Sequence, residues 1–60
     1  MIFQWSPLHY SARYGHLSVV EYLIKNGVYI NALDKWGNTP LKLAGKQEIK
    51  DLLRNHGGRE

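Results

Sequence analysis

The chain is 60 residues long, carries a net charge of +3 and has no cysteine. A domain this small buries only about 60% of the surface its unfolded form exposes, and without disulfides or a thiolate metal site its stability must come from packing or from a neighbour. No apolar run approaches the ~20 residues of a membrane span, and the start lacks a basic-then-apolar signal pattern, so an intracellular, cytoplasmic location is expected and a membrane partner is not.

Two short stretches set the register. Ser6-Pro7-Leu8-His9 and Thr39-Pro40-Leu41-Lys42 stand 33 residues apart. Each places a hydroxyl residue before proline, which marks a helix start: the side-chain oxygen accepts a bond from an orphan N–H, and proline at the first helical position gives up no donor. Met1 to Trp5 takes the place that Asp34 to Asn38 holds in the second copy. Gln4 stands where the second copy has Gly37, so the first turn should be missing, frayed or shaped differently.

Pro7 to Tyr14 should form a short helix with Leu8 and Ala12 on one face and Gly15 as a left-handed cap. Leu17 to Asn26 reads as its antiparallel partner, with Val19, Val20, Leu23 and Ile24 apolar at helical spacing and Ser18, Glu21 and Lys25 on the solvated side. Gly27 ends that helix. Val28 to Asn38 has the composition of an extended excursion closed by a tight turn near Asp34 and Gly37, a loop rather than a true two-stranded sheet.

Pro40 to about Ala44 starts a third helix, and Ile49 to Asn55 lies in a fourth. Only Lys46, Gln47 and Glu48 separate Gly45 from Ile49, so three residues have been lost at this turn relative to the first copy. Residues 40–55 are then either two short helices around a tight corner at Gly45 or one kinked helix. The tight corner is favoured, because it lets Leu52 and Leu53 fold back on Leu41 and Ala44.

The repeat length of about 33 residues and the run Ser6-Pro7-Leu8-His9-Tyr10-Ser11-Ala12-Arg13-Tyr14-Gly15-His16-Leu17 resemble the ankyrin repeat. The resemblance implies an all-α domain of two stacked antiparallel helix pairs joined by a hairpin-like loop, with repeats over 1–33 and 34–60. It also implies that His9 bonds near the capping hydroxyl, and that His16 is structural. Leu52-Leu53-Arg54-Asn55-His56-Gly57-Gly58 resembles a closing repeat. A physical reason accompanies this: Val20 and Ile24 are answered one repeat later by Lys50 and Arg54, giving the polar outer face that a terminal repeat needs. The front has no such cap, so upstream repeats of a longer array, or self-association through the open face, are expected.

An enzyme reading finds no nucleophile–base pair and no phosphate loop, and Asp34, Glu48 and Asp51 lack partners that would tune them as acid and base. His9, His16 and His56 do not share helical spacing, so neither metal nor cofactor is expected. The charge excess lies entirely beyond residue 34, and Lys42, Lys46, Lys50 and Arg54 recur every four residues. Nucleic acid or another polyanion is therefore the alternative ligand, set against the plainer view of a solvated basic stripe.

A protein partner is the favoured reading. The resemblance implies docking on the finger tips and on the face of the first helices. Carried onto this chain, the positions are Phe3, Trp5, Arg13, Tyr14 and Leu33, then Lys35, Trp36, Asn38, Lys46 and Gln47. Trp, Tyr and Arg are the residue types enriched in interface hot spots. Asn31 follows Ile30 and lies eight residues after Leu23, a pattern resembling ankyrin asparagines accepted by an intracellular asparagine hydroxylase. The plainer role for Asn31 is to brace the finger through side-chain bonds to backbone.

Overall fold

A computed structural model describes residues 5–60. Four helices appear in order: α1, Pro7–Tyr14; α2, Leu17–Lys25; α3, Pro40–Leu43; and α4, Gln47–Asn55. Among the described residues there is no strand. The structure is all-α, as the register predicts. Phe3 and most of the first turn lie outside the described residues.

Local chemistry sets each helix start. The Ser6 hydroxyl accepts the His9 N–H at 3.3 Å, and His9 Nδ1 accepts the Ser6 N–H at 3.1 Å. This is a capping box in which histidine replaces the usual Glu or Gln. Thr39 caps α3 through its hydroxyl alone, accepting the Lys42 N–H at 3.2 Å. Gly15 closes α1 with φ 78° and returns its N–H to Ser11, a conformation that a side chain would strain. His16 is solvent-exposed and its side chain makes no cap bond to α2. Its structural contribution is through backbone, its carbonyl receiving the Val20 N–H at 3.0 Å.

The second pair turns a corner rather than running as one kinked helix. Ala44 (φ −58°, ψ 130°) and Lys46 (φ −112°, ψ 137°) are both extended. Gly45 between them avoids the left-handed region and donates its N–H to the Ala12 carbonyl at 3.4 Å. The shortened turn is thus docked on the end of α1. It also lets α4 start at Gln47, two residues before the first buried position of that helix, Ile49.

Leu8, Ala12, Val20, Leu41, Ala44, Ile49 and Leu53 form the core, with Leu23, Ile24 and Leu52 packed against it. Fully burying a side chain such as Leu53 is worth about 1.5–3 kcal/mol. Val19 departs from its apolar period: it is 46% exposed, whereas its second-repeat counterpart Ile49 is fully buried. Pro7 is exposed where Pro40 is buried, and Tyr10 is exposed where Leu43 is half-buried. Among the described residues, the positions that dock the second pair onto the first are thus more exposed in the first pair. On the back, Lys50 and Arg54 stand where Val20 and Ile24 lie in the first repeat, and Arg54 pairs with Glu60 at 2.6 Å.

Between the pairs runs the finger. Asp34 and Asn38 close its turn through Asp34 N–H to Asn38 carbonyl at 3.0 Å, and Gly37 sits inside it at φ 79°. Asn31 braces the chain end rather than the finger tip. Its amide donates to the Gly57 carbonyl at 3.0 Å and its oxygen accepts the Arg59 N–H at 2.8 Å. Thr39 adds a hydroxyl bond to the Arg59 carbonyl.

Candidate protein-interaction surface

The surface is built around one buried carboxylate. Asp34 Oδ1 accepts the backbone N–H groups of Trp36 at 2.9 Å and Asn38 at 2.7 Å. Its Oδ2 accepts the Trp5 indole N–H at 2.9 Å and the Asn38 amide at 3.2 Å. Burial alone would raise the Asp34 pKa. The donated bonds, led by those from Asn38, outweigh it and hold the carboxyl below its ordinary value. A charged Asp34 thus fixes the finger turn and ties Trp5 to it across the two repeats.

Trp5 then anchors a compact cluster of three rings on α1. Its ring meets Tyr10 edge-on at 5.0 Å and Tyr14 at 6.2 Å, and Tyr10 lies parallel to Tyr14 at 6.3 Å. Such pairs are worth about 0.5–1.5 kcal/mol beyond the area they bury. Tyr10 and Tyr14 nonetheless remain 53% and 61% exposed. The Arg13 guanidinium lies 5.9 Å from the Tyr14 ring centre. At the finger tip Trp36 is 61% exposed, with the Lys35 ammonium 6.0 Å from its ring. The ring is not part of the core or packed against it.

The positions predicted from sequence divide into three groups. Arg13, Tyr14, Leu33, Lys35, Trp36, Lys46 and Gln47 are exposed. Trp5 is half-buried and Asn38 is committed internally, its N–H and amide to Asp34 and its carbonyl to His9 Nε2 at 2.8 Å. Phe3 lies outside the described residues. Gln47 spends its amide on Asp51 at 2.9 Å. Tyr10 was not anticipated. Its signal was present in the spacing, since residues four apart share a helix face and Tyr14 was already a candidate.

Lys46 joins this surface through Gly15, whose missing side chain leaves room for the lysine stem. A Cβ there would lie 2.7 Å from Lys46 Cε. The basic stripe inferred from the four-residue period is accordingly divided. Lys42 is on α3, Lys46 sits at the corner beside α1, and Lys50 and Arg54 are on α4.

Next to the aromatic cluster opens a groove of about 590 Å³, lined among the described residues by Trp5, Ser6, Pro7, His9, Tyr10, Ala32 and Leu33. Its polar groups are spent internally. The Asn38 carbonyl can only accept, so His9 Nε2 carries the proton, and Nδ1 is left to accept from Ser6. The groove therefore offers apolar walls rather than reactive groups. Among the described residues no three His, Cys, Asp or Glu side chains gather as a metal site would require, and no helix is long and apolar enough to cross a membrane.

Two stacked helix-turn-helix pairs, linked by a finger and sharing one core, define a helical-repeat protein. A family model described as ankyrin repeats in many copies matches residues 3–44. The chain belongs to the ankyrin-repeat family. It is similar to the serine/threonine-protein kinase VIK of Arabidopsis thaliana, at 43% identity over 88% of this chain and 13% of the kinase. An ankyrin repeat protein of Rickettsia bellii is 49% identical over 65% of this chain and 16% of its own length. Osteoclast-stimulating factor 1 of Monopterus albus is 42% identical over 82% and 24%. The chain thus spans a quarter or less of the length of these relatives.

Proposed function

We propose that the chain is a non-catalytic protein-binding module that engages its partner through the finger tip and the exposed face of α1. Ankyrin repeats generally mediate protein–protein interaction, and the single observation that carries the reading here is the exposure of Trp36 and Tyr14 beside Arg13 and Lys35. These are residue types that anchor interfaces, and they stand clear of the core. In this reading residues 1–33 and 34–60 are two repeats, the second a closing repeat at the end of a longer array. The open front face of Pro7, Tyr10 and Val19 takes an upstream repeat or, failing that, a second copy. The location is intracellular.

The polyanion alternative rests on the basic residues of the second repeat, which stand on different elements, with Arg54 already paired to Glu60. Capture from cell extract, with and without nuclease treatment, tests the choice. Proteins retained by the whole chain should be lost with the Trp36→Ala, Tyr14→Ala double variant. Retention that depends on intact nucleic acid, and is indifferent to the two rings, contradicts the proposal.

A further inference from the structure

One residue near the chain end holds both roots of the finger. The Arg59 N–H donates to Asn31 Oδ1 at 2.8 Å, and the Arg59 carbonyl accepts the Thr39 hydroxyl. Asn31 stands just before the finger tip and Thr39 just after it. The Asn31 amide adds a bond to the Gly57 carbonyl at 3.0 Å. The tip turn is fixed independently of these bonds: Asn38 donates to Asp34, and its carbonyl is held by His9. The limb before the tip, residues 29–33, is not. Among the described residues its only hydrogen bonds to the rest of the chain are the two from Asn31. Its apolar anchor is Ile30, packed against the core. Ala32 and Leu33 lie beyond that anchor, and they are the finger's contribution to the groove.

We propose that residues 57–59 act as a strap that positions the leading limb of the finger, and with it the Ala32 and Leu33 wall of the groove. The strap is seated on α4. The Gly58 N–H donates to the Leu53 carbonyl at 2.6 Å, and a Cβ on Gly58 would lie 2.7 Å from that oxygen. Leu53 is fully buried, so the strap is referenced to the core. Thr39 ties the same strap to the start of α3, since its oxygen also accepts the Lys42 N–H. Arg59 works through its backbone. Its side chain is exposed and, among the described residues, makes no hydrogen bond or ion pair. A limb already held in place gives up less conformational freedom when something docks on it. Trimming the chain end should therefore loosen the groove wall while the helices keep their packing. The consequence for binding rests on the protein-binding reading; the positioning of the limb does not.

Backbone relaxation by nuclear magnetic resonance, on the isotope-labelled whole chain, tests this without a partner. The Ala32 and Leu33 amides should show the order parameter of rigid backbone, about 0.85. Asn31→Ala, which removes both bonds of the limb at full length, should carry the two amides below about 0.6. Removing residues 59–60 should lower them in the same direction, with α1 and α4 as rigid as before in both variants. Arg59→Ala keeps every backbone bond and should leave the limb rigid. Circular dichroism checks the helix content of each variant. Unchanged order at Ala32 and Leu33 in Asn31→Ala overturns the proposal, because the packing of Ile30 would then hold the limb alone. Order lost equally in α1 and α4, or a truncated chain that no longer folds, overturns it too, since the chain end would then support the whole fold. Each of these results leaves the protein-binding reading standing, which the capture assay judges separately.

Discussion

His9 Nε2 lies 2.8 Å from the Asn38 carbonyl, so a side chain on the first helix holds the backbone of the second repeat's turn. The same ring accepts the Ser6 N–H through Nδ1. His9 is only 1% exposed, so its loss leaves two backbone groups without their partner in a place water reaches poorly. His9→Ala should therefore destabilise the chain by about 1–3 kcal/mol for each group left unsatisfied. Urea denaturation followed by circular dichroism measures this as a lowered midpoint. An unchanged midpoint would mean that the histidine is a spectator.

Asp34 supplies a pH dependence. Its folded pKa lies below the ordinary 3.8, because the N–H groups of Asn38, Trp36 and Trp5 favour the charged form over what burial would impose. A depressed folded value gives stability that is present above the unfolded pKa and lost as pH falls through the folded one. Melting temperature should thus fall as pH drops below about 4. In Asp34→Asn the amide nitrogen would face other donors, so the variant should melt lower at neutral pH and lose less on acidification. Parallel acid melting curves for the two proteins would contradict the role given to this carboxylate.

How far the fold could be read beforehand follows from the range over which each signal acts. The helix starts at Pro7 and Pro40, the cap at Gly15 and the corner after Ala44 all depend on near neighbours, and all stand where the register puts them. The contacts that build the surface act across the chain. Trp5 finds Asp34 at a separation of 29 residues and Asn31 finds Arg59 at 28, and no local pattern announces either. The basic period of four is of another kind. It ran through a corner, so residues evenly spaced in sequence are placed on different elements. Val19 obeyed the helical period too, yet it is exposed.

The front face carries a prediction of its own. Pro7, Tyr10, Val19 and Tyr22 are exposed on the front of the first pair, while their counterparts Pro40, Leu43, Ile49 and Leu52 are buried or half-buried against it. Val19→Lys with Tyr22→Lys should reduce concentration-dependent self-association in sedimentation velocity. Adding an upstream repeat should instead raise the melting temperature of the unaltered chain. A monomer at all concentrations, with melting unaffected by an added repeat, would show that the front face needs no cover.

Asn31 holds the chain end through two bonds that are partly open to water, each worth about 0.5–1.5 kcal/mol. We propose it as the residue that an intracellular asparagine hydroxylase would accept. Intact mass after incubation with that enzyme should rise by one oxygen, and Asn31→Ala should abolish the rise. Removing residues 59–60, which frees one of the two bonds, should speed the reaction. An unchanged mass in both the whole and the shortened chain retires the idea.

The central claim is that the exposed rings, rather than the basic residues of the last helix, carry binding. Calorimetric titration of a captured partner against three forms of the chain tests it most directly: unaltered, Trp36→Ala, and Lys50→Ala with Arg54→Ala. Trp36→Ala should cost more than about 1 kcal/mol of affinity with the helix content unchanged. The Lys50 and Arg54 changes should alter little beyond the association rate. Binding that survives Trp36→Ala, but collapses when Lys50 and Arg54 are neutralised and falls steeply and linearly on a log–log plot against salt, would contradict it.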